Sequence, residues 1–262
     1  MSQTKHALIF GIDGCRPDAL RKAKTPYIDS LIANGSFSPN AQTGEITISG
    51  PGWSDMLTGV WWKKHGVRDN SFEGSNYDRY PHLFSRLKEC RPDLITASIV
   101  NWAPINEQIL RAADFAKETS SDSKVLDETL VYLRTADPNV LYLQLDDVDS
   151  AGHKHTFSPD AEGYLDSIEV TDSIIGAICQ AVVERPNYAN EDWLLIVSTD
   201  HGGTHHGHGE NIPEHRTIFL VAHAPYSIEF PEEVNIVDIP VLVASHLGIE
   251  VDPQWEWDGK PY

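Results

Sequence analysis

The chain has 262 residues, 40% of them hydrophobic; this allows one sizeable core, and we read residues 1–262 as a single domain. A formal net charge of -19 and a pI near 4.9 oppose attraction to nucleic-acid backbones and anionic lipid surfaces. Neither nucleic acid nor membrane is therefore expected as a partner, and any anionic substrate must meet local positive charge.

In chain order, the first apolar run, Ala7 to Ile12, predicts a buried strand that ends on Asp13. It is too short for a signal-peptide core or a membrane span. Ser49 stands before Gly50-Pro51 and a helix-like segment through Leu57, where a serine is commonly a helix cap. The polar stretch Phe72 to Tyr80 reads as loop, and Leu94 to Val100 as a second buried strand. Val140 to Leu145 predicts another strand, running into Asp146, Asp147 and Asp149. Ser158-Pro159-Asp160 offers a helix cap with proline at the first helical position, and the apolar stripe Tyr164, Ile168, Thr171, Ile175, Ile178, Val182 has helical spacing. Two further strands follow, Trp193 to Ser198 and Ile218 to Ala222, the former leading into Asp200 and His201. A helix over 240–247 stops at Gly248. Strands alternating with helices predict an α/β fold with a mainly parallel central sheet and helices on both faces. Three strand-end carboxylates then converge on one sheet edge, where such folds place their ligands.

Cys15, Cys90 and Cys179 cannot form a closed set of disulfides and lie in no thiolate metal motif, so a soluble cytoplasmic protein is expected. Five of the twelve histidines fall between His201 and His215, among glycines. Asp149 and His153 form a D-x-x-G-H pair, and Asp200 adjoins His201. Mixed Asp and His donors suit zinc or a similar divalent ion, in numbers sufficient for two sites.

These motifs, in this order, resemble the alkaline phosphatase superfamily and its type I phosphodiesterase/nucleotide pyrophosphatase branch. GIDGCRPDAL at 11–20 is similar to that branch's opening strand and first metal aspartate. Counting from Ser49, the Pro at 51, Thr58-Gly59, His65-Gly66 and Asn70 match the spacing after the family nucleophile. D-x-x-G-H at Asp149, D-H-G at Asp200 and H-G at His208 continue the pattern. The resemblance implies an alkaline-phosphatase-like fold, Ser49 as nucleophile and Asn70 as a phosphate contact. It also implies two divalent ions, zinc foremost: one held by Asp13, Ser49, Asp200 and His201, the other by Asp149, His153 and His208. His205, His206 and His215 compete with His208 for the last place. Gly52 and Trp53 after Pro51 depart from the family, and no large insertion builds a nucleobase pocket.

A serine hydroxyl is a poor nucleophile at neutral pH, and a divalent ion beside it removes that difficulty. The expected reaction is hydrolysis of a small phosphoester through a phosphoserine intermediate, with phosphodiesters preferred. A phosphomonoesterase or arylsulfatase of the same superfamily is the alternative. The sulfatase nucleophile needs an Arg four residues on, where this chain has Trp53. A non-catalytic metal-binding protein is the alternative of another class, and it has no use for the Ser49 to Asn70 pattern. The oligomeric state is not legible.

Overall fold

The computed structural model describes residues 3–261. Seven strands form one sheet: β1 (Thr4–Ile12), β2 (Ser36–Gln42), β3 (Thr96–Val100), β4 (Phe115–Glu118), β5 (Val140–Leu145), β6 (Glu191–Thr199) and β7 (Thr217–His223), in the order β2-β7-β6-β1-β5-β3-β4. Only β7 runs against the others, pairing antiparallel with both β6 and β2. The mainly parallel sheet expected from the sequence is thus present. Alternate residues of β1 feed two cores: Ala7 and Ile9 pack on one face, and Leu8, Phe10 and Ile12 on the other. Burial on both faces is why these strands read as continuous apolar runs rather than alternating ones.

The helices are α1 (Pro17–Lys22), α2 (Pro26–Ala33), α3 (Ser49–Thr58), α4 (Trp62–His65), α5 (Leu83–Cys90), α6 (Asp122–Thr135), α7 (Asp147–His155), α8 (Glu162–Val183), α9 (Pro213–Arg216) and α10 (Ile239–His246). Among the described residues no helix is long and apolar enough to cross a membrane. The α8 stripe is buried as its spacing requires, but the helix starts at Glu162 and not at Pro159. Ser158 forms a turn instead: its Oγ accepts from Asp160 N at 3.1 Å and its carbonyl from Ala161 N at 3.1 Å. Two strands were missed from the sequence. β2 carries Pro39 and Asn40 at a register shift on the sheet margin, where a missing N–H is tolerated, and β4 is a four-residue edge.

Parallel pairing sets Ile12 level with Leu145 and Thr199, so Asp13, Asp146 and Asp200 leave the sheet side by side. Every residue of α3 is buried, and the helix lies against the face of β1. Trp53 packs against Gly11, where a Cβ would stand 2.6 Å from its ring and 2.9 Å from the Tyr142 hydroxyl. Gly11→Ala is therefore expected to force Trp53 out of place and cost about 1–3 kcal/mol by overpacking. Urea denaturation measures this, and an unchanged midpoint would contradict the packing.

Candidate active site

Two groups of donors form where the three strand ends meet. Asp13, Asp200 and His201 make the first, all buried; Asp149, His153 and His208 make the second, partly open to solvent. In the first, Asp13 Oδ1 and Asp200 Oδ2 lie 3.6 and 3.3 Å from His201 Nε2. In the second, Asp149 Oδ2 is 3.2 Å from His153 Nε2, and its Oδ1 is 3.7 Å from His208 Nε2. Helix α7 brings Asp149 and His153 together, since residues four apart share one helix face. The stacked rings of His201 and His208, centroids 3.9 Å apart, join the two groups. Gly14, at φ +64, lets the β1 turn approach Asp149, because a Cβ there would lie 2.6 Å from Asp149 Oδ1.

The proton positions on the imidazoles decide what the groups can hold. His201 Nδ1 lies 2.9 Å from the Gly202 carbonyl, His153 Nδ1 2.8 Å from that of His206, and His208 Nδ1 2.9 Å from that of Thr47. A carbonyl only accepts, so each Nδ1 carries the proton and, in the neutral ring, each Nε2 presents a lone pair. Those lone pairs face carboxylate oxygens: Asp13 Oδ1, Asp149 Oδ1 and Asp200 Oδ2 are buried without any hydrogen-bond partner. Burial, followed by the charges of Asp200, Asp149 and Asp146, pushes the Asp13 carboxyl well above its usual range. Burial does the same to Asp200 and raises Asp149 to about 6, while it holds His201 well below the ordinary imidazole value. Converging acceptors of like polarity, among them three carboxylate oxygens that no donor reaches, fit a divalent cation in each group.

The other carboxylate oxygens are tied down. Asp13 Oδ2 accepts from Trp53 Nε1 at 3.0 Å and Gln144 Nε2 at 3.1 Å, and Asp200 Oδ1 accepts from Gly14 N at 3.2 Å. Gln144 also accepts from the backbone of Asn101 and Trp102, fixing which way its amide points. Sequence reasoning missed Gln144 and the contact of Trp53 with Asp13. The available signal was a lone amide inside the apolar run VLYLQL, which must find partners when buried.

Ser49 is the first residue of α3, and its hydroxyl does not cap the helix: Ile48 occupies the cap position, and Ser49 Oγ lies 3.3 Å from His201 Nε2. The first-turn amides beyond Ser49 are engaged within the protein. Gly50 N donates to Asn70 Oδ1 at 2.7 Å, Pro51 has no N–H, and Gly52 N donates to the Ile48 carbonyl. The contact to Gly50, the residue after Ser49, fixes the Asn70 amide and leaves its Nδ2 out of that bond. Of the rivals to His208, His215 has both ring nitrogens engaged, by Glu210 N and Thr204 Oγ1. His206 donates to the His153 carbonyl, and His205 is exposed. A third acid and histidine group, His6, Asp137 and Glu191, already surrounds a cation, since Arg185 pairs with both carboxylates.

Trp53→Phe removes one of two donors to Asp13, together with the outer ring atoms that meet Gly11. It is expected to weaken zinc binding at the Asp13 group about 10–100-fold, read by competition with a chromophoric chelator. Unchanged affinity would show that Gln144 alone holds the carboxylate.

The sequence pattern of the type I phosphodiesterase / nucleotide pyrophosphatase family matches residues 7–228. Human bis(5'-adenosyl)-triphosphatase ENPP4 is 25% identical over 219 residues, 75% of this chain and 47% of that protein. Rat ectonucleotide pyrophosphatase/phosphodiesterase family member 7 is 23% identical over 229 residues, 77% of this chain and 51% of that protein. The chain thus spans about half the length of these curated relatives. Among solved structures, an inactive variant of murine ectonucleotide pyrophosphatase/phosphodiesterase 5 in complex with AMP superposes with a TM-score of 0.75 at 16% identity, covering 95% of this chain and 96% of that one. A 2-O GAG sulfatase does so with 0.79 at 14% identity, covering 99% and 73%. These likenesses show an alkaline-phosphatase-like fold. With its pattern matched from the first strand to beyond the last, this chain belongs to the type I phosphodiesterase / nucleotide pyrophosphatase family.

Proposed function

We propose that this protein hydrolyses small phosphodiesters through a covalent intermediate on Ser49, with two divalent ions. The observation that carries the reading is Ser49 Oγ, 3.3 Å from His201 Nε2 and set against buried carboxylate oxygens that have no partner. Asp13, Ser49, Asp200 and His201 would hold one ion, and Asp149, His153 and His208 the other; the Asp and His donors suit zinc. When bound, the ions supply the positive charge that favours the serine alkoxide and accommodates the charge on the leaving oxygen.

Ser49 Oγ forms a bond to phosphorus as its proton passes to solvent, the bond from phosphorus to the leaving oxygen breaks, and the phosphoryl group stays on Ser49. Water then attacks that phosphorus, releasing the product and restoring the hydroxyl. Asn70 Nδ2 donates to a nonbridging oxygen in both steps, because Gly50 N holds its Oδ1. His201, His153 and His208 keep their Nδ1 protons on backbone carbonyls, so their Nε2 atoms stay directed inward.

Chelation is expected to abolish turnover and added zinc to restore it. Aryl phosphodiesters should turn over faster than aryl phosphates or aryl sulfates; equal or better monoester turnover would move the assignment to phosphatase. Ser49→Ala should lower turnover at least about 1,000-fold. Because Ser49 is not a cap, its stability cost should be under about 1 kcal/mol. Wild-type protein acid-quenched during turnover should carry phosphate on Ser49. Near-normal activity of Ser49→Ala with ions bound would mean that water attacks directly.

A further inference from the structure

We infer that Arg16 is a positioning residue for the Asp149, His153 and His208 group: its guanidinium bridges the two chain segments that deliver the histidines and so sets the gap between them. The inference rests on the two-ion reading above.

His153 and His208 come from different parts of the fold. His153 stands near the end of α7, from which the chain continues to Phe157, and His208 stands on the loop that leaves β6 through His201, Gly202 and Gly203. Their ring centroids lie 5.1 Å apart, a separation that only tertiary contacts can hold. Arg16 Nη1 donates to the Phe157 carbonyl at 3.2 Å and to the Gly203 carbonyl at 2.8 Å, across 141 and 187 residues of sequence. Phe157 and Gly203 are buried, and among the described residues neither carbonyl receives another hydrogen bond. A buried carbonyl without a donor is costly, so both segments are drawn to the same nitrogen.

The guanidinium is itself fixed. Its Nε and Nη2 donate to Asp18 Oδ1 and Oδ2 at 2.9 and 2.6 Å, which sets the plane of the fork and the direction of both Nη1 hydrogens. The Arg16 amide donates to the Tyr164 hydroxyl at 3.0 Å, and that hydroxyl donates to the Gly14 carbonyl at 2.5 Å, so α8 holds the backbone on either side of Cys15. Phe157 carries the constraint to the imidazoles. Its ring stands edge-on to His153 and His208, with centroids 5.2 and 6.0 Å away, and a Cβ at Gly203 would meet it at 2.6 Å. Its amide donates to the His205 carbonyl at 2.6 Å, which ties it to the loop that bears His208. Asp13, Asp200 and His201 are held instead by Trp53, Gln144, the Gly14 amide and the Gly202 carbonyl, without the Arg16 side chain. The effect of Arg16 is therefore confined to the second group. A lysine cannot take its place, because an ammonium has no plane for Asp18 to set.

Competition with a chromophoric chelator, with zinc as the probe, measures the two affinities. Arg16→Lys, which keeps the charge, is expected to lower one of them about 10–100-fold, the scale of a lost partner behind a metal-binding histidine, and to leave the other within about twofold. In a His153→Ala background, where only the Asp13 group is complete, Arg16→Lys should leave the remaining affinity unchanged. A merely structural role would move both affinities or neither; either result overturns the inference, as does a fall in the His153→Ala background. If wild-type protein binds fewer than two zinc ions, the two-ion reading fails. Hydrogen exchange of the metal-free protein then decides the role of Arg16 separately. Amides of 153–157 and 203–208 that exchange at least about tenfold faster in Arg16→Lys, with β1 unchanged, support it. Equal rates, or β1 quickened as much, overturn it.

Discussion

Three imidazoles held by backbone carbonyls are the constraint on which the site depends. Each Nδ1 of His153, His201 and His208 is committed to a carbonyl, so each Nε2 turns a lone pair toward the carboxylates of Asp13, Asp149 and Asp200. In the buried group of Asp13, Asp200 and His201, the carboxylates repel one another, and burial pushes both carboxyls up and the imidazole down from their ordinary values. Protonating the carboxylates would relieve the repulsion but leave the histidines without a role. A divalent cation in each group relieves it while using every donor.

The fold supplies this convergence cheaply in sequence terms. Level pairing of β1, β5 and β6 delivers three acidic strand ends to one edge, and α7 adds Asp149 and His153 from a single helical turn. Helix α3 lies under the same edge and performs two tasks. Its first residue presents the Ser49 hydroxyl, and Trp53, one turn further on, reaches under the β1 end to orient Asp13. The proposed nucleophile and a carboxylate of the proposed metal site are therefore positioned by one buried element, which couples the packing at Gly11 to that reading.

Much of this was legible in the sequence for a simple reason. Buried parallel strands are continuous apolar runs, and a charged residue that ends such a run has to lie at the sheet edge, so Asp13, Asp146 and Asp200 could be placed before any coordinates, and Asp149 close behind Asp146. The spacing from Ser49 to Asn70 was legible too, and the geometry adds a reason for it: Asn70 braces the first turn of α3 through Gly50. Other features were hidden because they depend on tertiary partners. Trp53 and Gln144 act on Asp13 across 40 and 131 residues of sequence. The choice of His208 over His215 rests on which ring meets Thr47 and which meets Glu210. The margins β2 and β4 lacked a pattern because an edge strand needs less burial than a central one. The start of α8 was misplaced because Ser158 and Pro159 suit a turn as well as a cap.

Anomalous diffraction at the zinc edge, from crystals of the zinc-loaded protein, tests the central claim most directly. The account predicts two strong peaks, one bounded by Asp13, Asp200 and His201 and the other by Asp149, His153 and His208. A single peak, or zinc bound at other residues with either group left empty, would contradict it.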